Sequence, residues 1–383
     1  MKYYLIAGEA SGDLHASNLM KAIKSLDRDA EFRFWGGDLM AEVGGTQVKH
    51  YRETAYMGIW DVFINLHNIR KNFKECEKDL LQYQPDIFIP VDYGGFNLRM
   101  AKYAHQNGIE THYYIPPKVW AWNTKRVKKI KAYINHAYVI LPFEETFLKK
   151  YGIDVNYSGS PVVDAIYNRK NRDESFESFI KRNSLDNRPK VALLAGSRKS
   201  EIKHNLPDMI KMVEKFPKFQ FVIAAAPSFS AEDYKPYTEN RDVYSVFDQT
   251  YELLQQAEAA LVTSGTATLE TALLNCPQIV TYKMWGGWLT DFVAKKVLLK
   301  VPFISLVNLI LEKESVKELF QKSFSLELLE SELRKLLNDT PRRKEMLNDY
   351  KQLQLRMGKQ GASEKTAKMI LEQSGIIIEK HKH

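Results

Sequence analysis

Four stretches of the sequence carry residues whose types and spacing suit chemistry. The first is Ser264-Gly265-Thr266-Ala267-Thr268-Leu269-Glu270. It follows an apolar run at 259–263 that reads as a buried parallel strand. It precedes an apolar-periodic run at 267–275 that reads as a helix, which Cys276-Pro277 stops before a further strand at 278–282. A small-residue turn between strand and helix aims unpaired N–H groups and the positive helix end at one point, where an anion, most often a phosphate, binds well. Glu270 lies about one turn inside that helix, placed to accept from a ribose diol attached to the phosphate. An N-capped crossover carrying a surface Glu is the plain alternative.

The second stretch is Asp92-Tyr93-Gly94-Gly95-Phe96-Asn97, at the carboxyl end of a strand over 85–91. Ligands of open α/β sheets bind at such ends, so Asp92 is the candidate general base, with an N-cap as its alternative. The third is Gly8-Glu9-Ala10-Ser11-Gly12-Asp13, between a strand at 3–7 and a helix reaching about 26. Its glycines lack the dinucleotide order G-x-G-x-x-G, and Glu9 and Asp13 would repel a pyrophosphate. This loop suits hydroxyls or proton transfer; a tight turn with Asp in the helix's first turn is the alternative. The fourth is Gly196-Ser197-Arg198, after a strand from 190, where Ser and Arg suit phosphate.

These loops need scaffolds. Each half of the chain begins with a strand running into a small-residue turn and a helix: Leu5-Ile6-Ala7-Gly8-Glu9 and Leu193-Leu194-Ala195-Gly196-Ser197. The expected fold class is α/β, two Rossmann-like domains facing each other across a cleft. Residues 1–164 form the acid-bearing domain and 165–349 the nucleotide domain, with helices near 350–383 packing back on the first. Further strands are expected at 31–35, 110–115, 137–141, 219–225 and 242–246, with 156–161 as a turn and helix from about 314. Asp27-Arg28-Asp29 matches a D-x-D metal pattern but sits before a strand, so it reads as a solvated turn and no metal is expected.

At 383 residues, 44% hydrophobic and 27% charged, the chain is an ordinary globular one of two or three domains. The net charge of +8 suits a negatively charged partner, and the absence of an Arg-rich tract or zinc-finger spacing disfavours nucleic acid. Cys76 and Cys276 make no disulfide framework, so a reducing compartment is expected. No apolar run approaches the roughly 20 residues of a membrane span, and the first residues do not make a signal peptide. Two apolar surpluses remain beside lysines and arginines: Met57, Trp60 and Ile64, and Trp285, Trp288 and Phe292. Both fit contact with lipid at an anionic membrane surface; packing against a neighbouring loop or subunit is the alternative. The expected location is cytoplasmic, peripheral to a membrane, with a homodimer left open.

Taken together, these residues resemble the lipid A disaccharide synthases, inverting glycosyltransferases of the GT-B fold from Gram-negative bacteria. The resemblance runs in order through Ala7–Asp13, Met57-Gly58-Ile59, Val91-Asp92 with Phe96-Asn97, Val119-Trp120-Ala121-Trp122 with Lys125-Arg126-Val127, Leu141-Pro142-Phe143-Glu144, Gly196-Ser197-Arg198 with Glu201, the 264–270 stretch, and Leu306 with Asn308-Leu309. It implies a donor, UDP-2,3-diacylglucosamine, an acceptor, 2,3-diacylglucosamine 1-phosphate, and a β-1,6 disaccharide 1-phosphate product with UDP released. No cofactor is implied. Asp92 is then the base and Asp13 its reserve. Ser197, Arg198, Ser264, Gly265, Thr266, Ala267, Thr268 and Glu270 hold the UDP-sugar, and Glu9, Ser11, Gly12 and Asn308 line the sugar wall. The chain departs from the family pattern D-x-P-D-F-N in carrying Gly95 where a second acid stands, and it carries Ala195 and Val307 at usual prolines. Other readings are a GT-B enzyme on UDP-N-acetylglucosamine, either a peptidoglycan-type transferase or a 2-epimerase, and a non-catalytic lipid- or nucleotide-binding relative.

Overall fold

Strands buried on both faces read as short, continuous apolar runs, because helices cover each side of a parallel sheet. In the computed structural model such runs form the centres of two sheets. The structure describes residues 1–53, 66–119, 125–283, 302–320 and 324–375. Met57, Trp60 and Ile64, the Trp120-Ala121-Trp122 stretch, and Trp285, Trp288 and Phe292 lie outside the described residues. The chain divides into two units, Met1–Pro161 with Lys359–His383, and Val162–Gly358.

The first unit is a seven-stranded parallel sheet: β1 (Lys2–Ala7), β2 (Glu31–Gly36), β3 (Thr46–His50), β4 (Ile87–Val91), β5 (Glu110–Tyr114), β6 (His136–Val139) and β7 (Val155–Tyr157), in the order β3-β2-β1-β4-β5-β6-β7. Tyr3 and Leu5 face one buried layer and Tyr4 and Ile6 the other, as the strand period of two requires. The helix Ala10–Leu26 covers the first layer, and the helix Ala362–Gln373 returns to it, burying Ala367, Ile370 and Leu371 among Leu19, Ile23 and Tyr138. Ser158 and Thr366 join their hydroxyls at 2.6 Å beside that return. The order reverses between β1 and β4, so the crevice for a ligand opens beyond Ala7 and Val91, which are register partners.

The second unit repeats the plan in a six-stranded parallel sheet: β8 (Lys190–Leu194), β9 (Gln220–Ala225), β10 (Val243–Phe247), β11 (Ala257–Thr263), β12 (Gln278–Tyr282) and β13 (Lys317–Phe320), ordered β10-β9-β8-β11-β12-β13. Its reversal lies between β8 and β11, which brings the Gly196 and Ser264 turns to one edge. The polar segment 168–189 contains the helix Phe176–Arg182. Its Phe179 is fully buried against Ala192, Val222 and Leu253 and belongs to this core.

Three strands escape the sequence reading: β3, β7 and β13. The sequence pattern reads residues 156–157 as part of a turn and 317–320 as helix. All three are sheet edges, three to five residues long and mostly half-exposed. An edge strand packs on fewer neighbours, so it tolerates polar residues and leaves little apolar signature.

Candidate functional site

At the switch point of the first unit, Asp92 and Tyr93 take φ of +48° and +49°, two consecutive non-glycine residues in the left-handed region. Such residues cost about 1–3 kcal/mol each and persist only where the surroundings over-determine them. Here the Asp92 amide donates to Tyr114 O at 3.1 Å. Its carbonyl accepts from the Tyr113 hydroxyl at 2.7 Å and from Asn97 Nδ2 at 2.8 Å. The same Asn97 amide reaches Ile6 O and Val91 O at 3.2 Å, tying the turn to β1 and β4. The backbone is thus locked, while the Asp92 carboxylate itself accepts from the Tyr93 amide.

Burial raises the Asp92 pKa above the ordinary aspartate value, while the charge of Lys118 and the amide of Tyr93 pull the other way. A half-buried carboxylate with a raised pKa is a better base than a solvated one. The Tyr93 ring lies over Gly8, where a Cβ would sit 2.2 Å from it, and stacks on Phe96 at 5.6 Å. Gly94 is pressed against Pro117 and lies near Arg126 Nη1, at 2.5 and 3.6 Å from a would-be Cβ. Lys118 and Arg126 therefore bring positive charge to the Asp92 loop. Sequence reasoning gave them no role, although Lys118 closely follows the carboxyl end of β5, where a ligand-facing residue is expected, and Arg126 opens the next helix, Lys125–Tyr133.

The neighbouring turn corrects one expectation. Asp13 is buried, and its carboxylate accepts from three amides: Gly37 at 2.7 Å, Leu39 at 3.1 Å and Met40 at 3.2 Å. It caps the helix Asp38–Val43 from 24 residues away and cannot also serve as the reserve base. Glu9 and Ser11 are exposed at the start of the helix Ala10–Leu26, and Gly12 is buried beneath them. The D-x-D pair is likewise structural: Asp27 Oδ2 accepts from the Tyr3 hydroxyl at 2.8 Å and from the N-terminal ammonium at 3.1 Å.

In the second unit the two turns differ. At the first, Gly196 has φ of +116°, and Glu201 Oε2 accepts from Ser197 N at 2.9 Å and Arg198 N at 3.3 Å. The internal carboxylate occupies the place where an anion would sit, so Ser197 offers no backbone cradle, while the Arg198 side chain stays exposed. At the second, the helix Thr266–Leu273 starts at Gly265, φ +152°, with no side-chain cap; Gly265 and Thr266 are exposed. The first N–H groups of this helix thus have no side-chain cap, the local geometry that a helix-terminal anion site uses. Thr268 is fully buried and donates to Gly265 O at 2.9 Å, so it shapes the turn instead of lining it. Glu270 is half-buried; its pKa is raised by burial, against which the Tyr251 hydroxyl donates to Oε1 at 2.9 Å. Tyr251 had no part in the sequence reading, because it reaches Glu270 only through the packing of helix Thr250–Gln256.

Asn308 is also corrected. It is fully buried, its Oδ1 accepts from Ser315 N at 2.8 Å and Val316 N at 2.9 Å, and its Nδ2 donates to Val316 O at 2.9 Å and Glu318 Oε1 at 2.8 Å. Glu318 in turn accepts from Ile304 N at 3.0 Å and Ser305 N at 2.9 Å, and the Ile304 carbonyl accepts from Ser264 Oγ at 3.0 Å. Asn308 therefore braces the Ser264 turn and lines no sugar wall.

Comparison with known proteins decides the family. The sequence model of the lipid-A-disaccharide synthetases matches residues 3–373. The chain belongs to that family. The lipid-A-disaccharide synthase of Trichlorobacter lovleyi is 34% identical over 374 residues, 96% of each chain, and that of Syntrophus aciditrophicus 35% over 376 residues, again 96% of each. A lipid-A-disaccharide synthase of Legionella pneumophila is 35% identical over 359 residues, 91% of each. The chain is accordingly a glycosyltransferase of lipid A disaccharide synthesis, and the epimerase and non-catalytic readings are not favoured. Among solved structures, the S. aureus MnaA–UDP co-structure is similar with TM-score 0.68 and 11% identity, over 99% of this chain and 98% of that one. The Methanocaldococcus jannaschii UDP-GlcNAc 2-epimerase with UDP-GlcNAc and UDP follows at 0.62 and 14%, over 98% and 100%. These likenesses support the GT-B class of two Rossmann-like units.

Proposed function

We propose that the chain transfers 2,3-diacylglucosamine from UDP to the 6-hydroxyl of 2,3-diacylglucosamine 1-phosphate, with Asp92 as the general base. The observation that carries this is the Asp92 carboxylate, held at the first unit's switch point by a locked left-handed turn, with its pKa raised by burial. The carboxylate takes the hydroxyl proton as the oxygen attacks the anomeric carbon. The bond from that carbon to the UDP oxygen breaks on the opposite face, which inverts the configuration. Negative charge develops on the departing diphosphate, and preorganised N–H donors meet it best. The uncapped helix start at Gly265, Thr266 and Ala267 offers such donors, and the exposed Arg198 guanidinium adds charge. Glu270 accepts from the ribose. Lys118 and Arg126 supply the counter-charge for the acceptor's 1-phosphate near the hydroxyl that reacts.

The acylated substrates give a reason for contact with the inner membrane from the cytoplasmic side. Met57, Trp60, Ile64, Trp285, Trp288 and Phe292 are the residues proposed to meet acyl chains, and a homodimer remains part of the proposal. No helix among the described residues is long and apolar enough to cross a membrane. The test is turnover of purified protein with UDP-2,3-diacylglucosamine and 2,3-diacylglucosamine 1-phosphate in mixed micelles. Acceptor-dependent UDP release with a disaccharide product supports the reading. Turnover of UDP-N-acetylglucosamine alone, with none of the lipids, overturns it.

A further inference from the structure

Far from the switch point, at the amino ends of β5 and β6, Glu110, His112 and His136 converge. Register places His112 directly opposite His136, and Glu110 lies two residues earlier on the same face. Glu110 Oε1 is 3.1 Å from His112 Nε2 and 3.5 Å from His136 Nε2, and all three ligand atoms lie within 4.8 Å of one another. Tetrahedral coordination with metal–ligand distances of about 2.1 Å separates ligand atoms by about 3.4 Å.

Each histidine has an oxygen partner on its other nitrogen. His112 is fully buried, and its Nδ1 lies 2.7 Å from the Tyr138 hydroxyl, which in turn meets Gln373 Oε1 at the end of the returning C-terminal helix. His136 repeats the arrangement, with Nδ1 2.5 Å from Asp154 Oδ2. The two Nε2 atoms therefore face Glu110 Oε1, and the Ser374 hydroxyl lies 3.4 Å from His112 Nε2. Two imidazole nitrogens and a carboxylate oxygen thus converge on a space that fits a single cation. The oxygen partners orient the two rings, the outer-shell pattern of metal-bound imidazole.

We propose that Glu110, His112 and His136 bind a zinc-class divalent ion, with water as the fourth ligand on the side where Glu110 is open to solvent. The ion clamps β5 to β6 and, through Tyr138 and Gln373, to the C-terminal helix. It takes no part in glycosyl transfer, and the inference does not rest on the function proposed above. The sequence reading expected no metal, because the residues meet only through strand register.

The test is calorimetric titration of ZnCl2 into the full chain and into His112→Gln and Asp154→Asn, with Co2+ absorption as a second readout. The wild type should bind one equivalent more than His112→Gln, show a four-coordinate cobalt spectrum that the variant lacks, and gain Tm with zinc. Asp154→Asn should bind about 10–100-fold more weakly. Asp154 is 53% exposed, so this variant keeps the test valid should His112→Gln fail to fold. The tail histidines His381 and His383 are common to all the proteins and drop out of the comparison. Equal stoichiometry, spectrum and zinc affinity in wild type and variants would overturn the assignment and leave a proton between the three groups.

Discussion

Replacing Asp92 with Asn removes the proposed base while disturbing little else. Asn tolerates the left-handed backbone that φ of +48° demands, and the bonds from Tyr113 and Asn97 are made to the main-chain carbonyl, which is retained. Losing a positioned base typically costs about 10²–10⁴ in rate, which corresponds to about 3–5 kcal/mol of transition-state stabilisation. Stability should move the other way. Burial holds the folded-state pKa of Asp92 above its unfolded value. Its favourable contribution is present only below the unfolded pKa and is lost as pH rises through the folded one, so at neutral pH the charge is a cost that Asn removes. The variant should keep or raise its Tm, keep its KM for the UDP-sugar, and lose kcat. In the wild type the acid limb of kcat should lie above the ordinary aspartate range. The assay is acceptor-dependent UDP release across pH, run beside thermal unfolding. A variant within about tenfold of wild-type kcat would refute the base assignment, since even weak general bases contribute more. A large fall in Tm would show instead that the carboxylate supports the fold.

Lys118→Ala removes the cation that lowers the Asp92 pKa, so the acid limb of the pH–rate profile should move to higher pH. An unchanged limb would mean that another group sets it. Asn308→Leu strands the amides of Ser315 and Val316 in the core and should cost at least about 2 kcal/mol, read from the denaturation midpoint. The donor KM should rise with it, because the Ser264 turn loses its brace at Ile304. Gly95→Asp fills a position where a Cβ meets nothing within 4 Å, at the second residue of the helix Gly94–Gln106. Helix propensity and the dipole together should stabilise by about 1 kcal/mol. That raises the Tm of a unit this size by about 2–4 °C, and a lowered Tm would contradict the helix start described for the Asp92 loop.

The sequence by itself determined what depends on neighbouring residues along the chain. Central strands such as Tyr3–Ala7 in β1 and Ala260–Thr263 in β11 announce themselves as unbroken apolar runs, because burial on both faces leaves no alternative. The turn-to-helix starts at Gly8, Asp92 and Gly265 were legible for the same reason: glycine, small residues and a carboxylate at a strand's carboxyl end act within a few residues. Tertiary structure decided which polar groups meet. Asp13 and Asn308 look like ligands in one dimension, yet their partners are the amides at 37–40 and the Glu318 network, and those bonds consume them. Glu201 fills the first phosphate-like turn of the second unit, and Tyr251 reaches Glu270 from another helix. The edge strands β3, β7 and β13 exist only because a neighbour offers a ladder. His112 faces His136 only because two strands align in one register. Periodicity reports how buried a segment is. Pairing is set by groups distant in sequence, whose hydrogen bonds must be satisfied together once water is excluded.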